Sequence, residues 1–302
     1  MITNHFMQTI YQITPKMDVC YLGVDEWTDK VKRNFLGITL QGLINDKFDK
    51  KVVCFKKIDA EKVTGEYLQT KIEKKINDYN IQNNFGGIIS DGASNMIAAF
   101  DNARYKRKCC VCHVLNFLLR DIHDVFSQRL NGLQMVVFKI KNSYDFVKMC
   151  EQANISTKKL TSFTPTIWYG LFQTIHCFNH SFEVALDFIA KHKMESPFTC
   201  DELELFKEFE LFLSYIKDAI KLFEASSFGQ SGKIFAEIHM KESLLIMLDN
   251  SQFIKKQKDQ INEIITNRIA IIEESWGDLI FAVALLHPNK FFPQILSNET
   301  KT

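Results

Sequence analysis

Between Asp18 and His113 apolar runs of strand length alternate with stretches of helical period, and this alternation limits the folds open to the chain more than any other feature. CYLGVDEW, RNFLGITLQGLI and KKVVCFKKI read as three strands, with NDKFDK as the turn between the last two. Together they form an antiparallel meander. AEKVTGEYLQTKIEKKINDY places Val63, Tyr67, Leu68, Ile72 and Ile76 near a 3.6-residue period and predicts an amphipathic helix. FGGIIS is a short buried strand. The segment Ser90 to Asn95 supplies turn and cap residues before a short helix over Met96 to Phe100. KCCVC predicts one more strand and HVLNFLLRDIHDVF a helix. The order β-β-β-α-β-α-β-α calls for an α/β fold, a mixed sheet with helices packed on it.

Past residue 130 strand signals thin out. Over Glu202 to Glu224, Phe206, Phe209, Leu213, Ile216, Ile220 and Phe223 recur at spacings of three and four, the seam of a helix packed on helices. Glu237 to Leu248, Ile254 to Ile272 and Asp278 to Leu286 predict further helices, the last ended by Pro288 and Pro293. The expected organisation is a mixed α/β domain over 1–130 and an all-helical domain over 131–302. Most of the 26 phenylalanines fall in this second half at helical spacing and are read there as core packing.

Composition removes several function classes. No uncharged apolar run reaches the 18 residues of a membrane span, the longest being LIFAVALL, so no membrane partner is expected. MITNHFMQTIYQITPKMD lacks the basic and apolar regions of a signal peptide, and the eight cysteines are therefore read as reduced thiols of an intracellular compartment. The net charge is +1, but 1–130 carries 19 basic and 15 acidic residues against 18 and 21 in 131–302, so a polyanion would favour the first part. G-x-S-x-G, P-loop, G-x-G-x-x-G and H-E-x-x-H patterns are absent from the sequence, which argues against the corresponding hydrolases and nucleotide enzymes.

Asp25 and Asp91 each stand at the end of a predicted strand. Were those strands adjacent and parallel, ~5 Å apart, both carboxylates would reach one divalent cation. With a third acid, such a pair suits two-metal phosphodiester chemistry; the plainer reading makes each aspartate a turn or helix cap. Cys109, Cys110, Cys112 and His113 lack a second ligand pair at zinc-finger spacing, and on a strand they would face opposite sides. Trp168, after a proline turn, either packs or stacks on an unpaired base. Arg104, Lys106, Arg107 and Lys108 flank Tyr105 as the densest basic cluster, either tracking phosphates or blunting a strand edge.

Several of these segments resemble those of hAT-superfamily transposases. Asp25-Glu26-Trp27-Thr28 resembles their D-x-W-T element, and Asp91-Gly92-Ala93-Ser94-Asn95-Met96 their D-N-A-x-N-M element with Gly92 for Asn. Cys110-Val111-Cys112-His113-Val114-Leu115-Asn116 is similar to C-x-x-H-x-L-N, Thr166-Ile167-Trp168 to T-R-W with Ile167 for Arg, and Leu285-Leu286-His287-Pro288 to L-L-D-P with His287 for Asp. The resemblance implies a ribonuclease-H-like domain with a helical insertion, DNA as partner, a nuclear location and ancestral Mg²⁺- or Mn²⁺-dependent strand cleavage and transfer. It makes Asp25 and Asp91 the metal ligands, Cys110 and His113 their supporting shell, and Trp168 a base-stacking residue. The family's third acid, a Glu in an S-E-x-x-F-S element, and its dimerisation region have no counterpart before Thr302; Glu299 lacks the apolar continuation. Catalysis is therefore expected to be severely impaired and the cation weakly held. The alternative is a non-catalytic module binding DNA or protein on the same fold.

Overall fold

The computed structural model describes residues 8, 10–44, 47–58, 63–101, 105–155, 170–194, 198–224, 241–251, 254 and 257–286. They divide between two compact units. The first comprises Met1–Val114, Phe223–Phe235 and Ile271–Thr302; the second comprises Leu115–Leu222 and Ala236–Ala270.

The first unit is built on a five-stranded mixed sheet: β1 (Cys20–Thr28), β2 (Asn34–Ile44), β3 (Lys47–Ile58), β4 (Phe85–Ser90) and β5 (Arg107–Cys109), in spatial order β3-β2-β1-β4-β5. β1, β2 and β3 form the expected antiparallel meander, while β4 pairs parallel to β1 and β5 parallel to β4. Crossovers to parallel neighbours are made through α1 (Gly65–Asp78) and α2 (Ser94–Phe100). Alternation along β1 and β2 puts Cys20, Leu22, Val24, Leu36, Ile38 and Leu40 on one face, where they bury against Leu68, Ile72 and Ile76 of α1. Thr64 caps α1 by accepting from the Tyr67 amide at 3.2 Å.

Two features of β3 depart from a plain alternating strand. It begins at Lys47, which pairs with Ile44, so the Lys47–Lys50 part of the segment read as a turn belongs to the strand. The register also slips between Ile38 and Thr39, which pair with Cys54 and Val52 and leave Val53 as an extra residue. Val53 is buried and its carbonyl accepts the Tyr79 hydroxyl at 2.8 Å, whereas Val52 and Phe55 both point outward. The bulge lets two apolar residues three apart share the open face.

At Gly87 in β4, φ is +144° and a Cβ would stand 2.4 Å from the Lys106 carbonyl oxygen. We expect Gly87→Ala to cost about 1–3 kcal/mol and to loosen β4 from β5, read as a lower thermal midpoint. An unchanged midpoint would contradict that close approach.

β5 ends at Cys109, and α3 (Val111–Val125) begins two residues on, so KCCVC is not a strand throughout. Cys110 is the junction: its amide donates to the Ser90 carbonyl at 2.8 Å and its own carbonyl accepts from Val114 at 3.1 Å. Val111, Val114, Leu115, Leu118, Leu119 and Ile122 are all buried at helical spacing, and that period overrides the strand-like look of Cys-Val-Cys.

The described residues of the second unit are helical, comprising most of α3, then α4 (Ser127–Ile140), α5 (Tyr144–Gln152), α6 (Gly170–His180), α7 (Phe182–Lys191), α8 (Cys200–Glu224), α9 (241–250) and the start of α10 (Lys258–Leu286). The α8 seam is buried as predicted; Phe209 packs on Phe126 with centroids 4.8 Å apart, and Phe206 meets Phe178 edge-on at 5.9 Å. The two helices expected over 254–272 and 278–286 are one, since α10 passes Gly277 without a break. A helical glycine costs only ~1 kcal/mol against alanine, less than the burial of its neighbour Trp276 returns. Among the described residues no helix is long and apolar enough to cross a membrane.

Candidate metal centre

The C-terminal ends of β1, β4 and β5 lie side by side, and each delivers one side chain to a single spot. Val24 pairs with Ser90 and Ser90 with Cys109, so Asp25 and Asp91 follow the last paired residues of adjacent parallel strands, and His113 follows β5 in the first turn of α3. One ligand atom from each of Asp25, Asp91 and His113 lies within 4.8 Å of the others. Two carboxylates and an imidazole at that spacing form a donor set for one divalent cation.

Local hydrogen bonds fix the Asp91 turn. Its carboxylate accepts the Ala93 amide at 3.1 Å, and its carbonyl accepts from Ser90 Oγ and Arg107 Nη1, both at 3.2 Å. The aspartate is therefore a turn residue and a member of the cluster at once. Asn95 donates to Glu26 Oε2 at 3.2 Å, tying the start of α2 to β1 beside the cluster.

The electrostatics are those of anionic groups gathered around an imidazole. Loss of solvation pushes the Asp25 carboxyl up from its ordinary value; the His113 charge opposes this, and Asp91 and Cys110 add to it. Burial works against the His113 imidazolium, but a hydrogen bond with Cys110 and the charges of Cys110, Asp25 and Asp91 outweigh it and raise its pKa. The Cys110 thiol is held well below its usual value by a hydrogen bond with Cys112, against the opposing effect of burial, with further help from His113. Cys110 and His113 thus touch each other at the strand-to-helix junction, not on opposite faces of a strand. Cys20, in contrast, is pushed up to about 12 by burial and is an inert core thiol.

The basic run is mostly committed to internal contacts. Arg107 pairs with Asp101 and reaches the Asp91 carbonyl; Lys108 donates to the Ser275 carbonyl and lies 5.8 Å from the Trp276 ring. Lys106 is exposed. Arg104 and Trp168 lie outside the described residues.

Ser275 and Trp276 have no counterpart in the sequence reading, and they close the open edge of β5. The Cys109 amide donates to Ser275 Oγ at 2.7 Å, and Trp276 Nε1 donates to the Cys109 carbonyl at 2.9 Å. An edge strand whose backbone groups are taken up in this way is covered by a helix. Trp276 is 2 % exposed and stands 6.3 Å from Tyr21. The one sequence signal was a tryptophan beside a serine in the middle of a long helical stretch.

On the open face of the meander, Trp27, Phe35 and Phe55 form an aromatic triangle with centroids 5.4, 5.7 and 5.8 Å apart. Phe55 is 68 % exposed. No known protein-family model matches this chain, and no curated protein matches it.

Proposed function

We propose that this chain is a hAT-like, transposase-derived protein whose ribonuclease-H-like sheet holds one divalent cation at Asp25, Asp91 and His113 and engages DNA phosphodiesters there, with strand cleavage severely impaired. The observation that carries the reading is the convergence of these three side chains at the ends of β1, β4 and β5, in a sheet of order β3-β2-β1-β4-β5 with only β2 running opposite to the rest. That strand order and direction are what a ribonuclease-H-like domain requires, and they stand beside the D-x-W-T and C-x-x-H resemblances at the same positions.

The donor chemistry fits a cation of the Mg²⁺ or Mn²⁺ class. Carboxylate oxygens suit both, and the imidazole of His113 favours Mn²⁺. When bound, such a cation polarises a phosphoryl oxygen. Asp25 and Asp91 supply the negative charge that holds it, and His113 binds it as the neutral imidazole. Two-metal cleavage needs carboxylates enough to hold ions ~3.5–4 Å apart. Among the described residues the cluster offers two carboxylates and one imidazole, which suits one ion. DNA binding with little turnover follows.

Titrating Mn²⁺ into the protein by calorimetry should show one site per chain, lost in Asp91→Ala, together with nicking of duplex or hairpin DNA no faster than the Asp25→Ala variant gives. Mn²⁺ binding unaffected by Asp91→Ala would remove the cluster from the reading. Nicking abolished by Asp25→Ala would overturn the impaired-cleavage part.

A further inference from the structure

The outer face of the β1-β2-β3 meander is continuous with the cation cluster. Along β1, Asp25 and Trp27 alternate onto the same face, about 7 Å apart at ~3.3 Å per residue. Across the sheet Asp25 pairs with Gly37 and Gly37 with Phe55, while Trp27 pairs with Phe35. Gly37 matters here because it has no side chain: a Cβ would lie 3.1 Å from the Trp27 ring, so the indole lies across β2 beside the row that holds Asp25. Phe35 stacks on Trp27 at 17° between planes, and Phe55 closes the triangle from the bulged strand. The result is an aromatic surface that starts beside Asp25 and ends in the open.

Its surroundings are cationic. Residues 30–57 carry eight basic and two acidic side chains. Lys57, two residues beyond Phe55 along β3 and paired with Phe35, is exposed on the same face. Arg33 lies 5.8 Å from the Phe35 centroid, steered by Asp29, whose carboxylate accepts the Arg33 amide at 2.9 Å and pairs with its guanidinium at 2.7 Å. Two half-buried rings and an exposed third, bordered by cations, suit a ligand with flat π faces and a negative backbone, and a purely apolar partner would leave those charges unmatched.

We propose that Trp27, Phe35 and Phe55 are a stacking platform for unpaired bases of single-stranded DNA, laid so that the strand's phosphates run from the cationic rim toward Asp25. This rests on the cation-site reading for the choice of DNA. The base on the platform belongs to a nucleotide about two steps from the phosphate at the cluster, since ~7 Å is twice the rise per nucleotide of a stacked strand. Duplex DNA, with its base faces already stacked, should use the platform poorly.

The test uses the full chain and fluorescein-labelled oligo-dT of 20 nucleotides, read by anisotropy with and without Mn²⁺. Phe55→Ala should weaken binding about tenfold and Phe55→Trp should restore it, with unchanged Mn²⁺ affinity and an unchanged thermal midpoint. Phe55→Leu binding as tightly as Phe55→Trp would reduce the contact to apolar area and overturn stacking. Tighter binding of oligo-U of equal length would overturn the assignment to DNA. Unchanged oligo-dT affinity in Phe55→Ala, with Mn²⁺ still bound through Asp25, removes the platform and leaves the cation site. Loss of oligo-dT affinity in Phe55→Ala from a protein that binds no Mn²⁺ does the reverse.

Discussion

Replacing Trp276 with alanine is expected to destabilise the protein by about 3–5 kcal/mol, the range for deleting a fully buried large side chain. The indole also donates the hydrogen bond that satisfies the Cys109 carbonyl, and that acceptor would be left buried without its donor. Trp276→Phe separates the two contributions. It keeps most of the ring and should cost about 1–2 kcal/mol. Urea unfolding gives both numbers from the shift in midpoint at constant slope. If both variants unfold within 0.5 kcal/mol of the parent, about the scatter of surface substitutions, α10 does not seal the edge of β5. The effect should reach the cluster as well, because Cys109 is the last residue of β5, and the helix that carries His113 starts two residues later.

Asp25→Asn is expected to lower Mn²⁺ affinity about a hundredfold or more, since changes to residues behind metal ligands already cost 10- to 100-fold, while making the metal-free protein more stable at neutral pH. The sign of the second effect follows from the shifts. The folded-state pKa of Asp25 is raised, so its contribution to stability is full below its unfolded value near 3.8 and is lost as pH rises through the folded value. His113 is raised from 6.5 and behaves in the same way over a higher window. His113 keeps its contribution until pH rises through a folded value above 6.5, so at neutral pH it is the ionised Asp25 whose cost Asp25→Asn relieves. Adding Mn²⁺ should reverse this, more strongly as pH rises, because the cation must displace the His113 proton. Thermal midpoints measured from pH 5 to 8, with and without Mn²⁺, for the parent and Asp25→Asn, decide the matter. A variant less stable than the metal-free parent at pH 7.5 would contradict the loss of solvation at Asp25.

The sheet was legible where one residue type decides one position. FGGIIS gave β4 without error, and the acids closing the first and fourth apolar runs marked Asp25 and Asp91 before any pairing was known. Their approach was not legible, because it depends on β1 and β4 being parallel neighbours in a register that only long-range pairing sets. His113 was seen as a neighbour of the aspartates by resemblance alone. The helix read over HVLNFLLRDIHDVF already began at His113; it starts two residues earlier, at Val111, because Val111 is buried with the rest of that face. Phe55 was hidden for a different reason: strict alternation cannot put both Val52 and Phe55 on one face, and the bulge at Val53 that does so has no mark in the sequence. Ser275 and Trp276 were out of reach because their partners lie about 167 residues away.

That separation has a consequence during synthesis. A ribosome adding roughly 5–20 residues per second needs about 8–30 s to travel from β5 to Trp276. For that interval β5 has been made but the residues that cover its outer backbone groups have not. The interval is set by the helical segment that intervenes, so a longer one would prolong the exposure and a circular permutant that begins at residue 271 would abolish it.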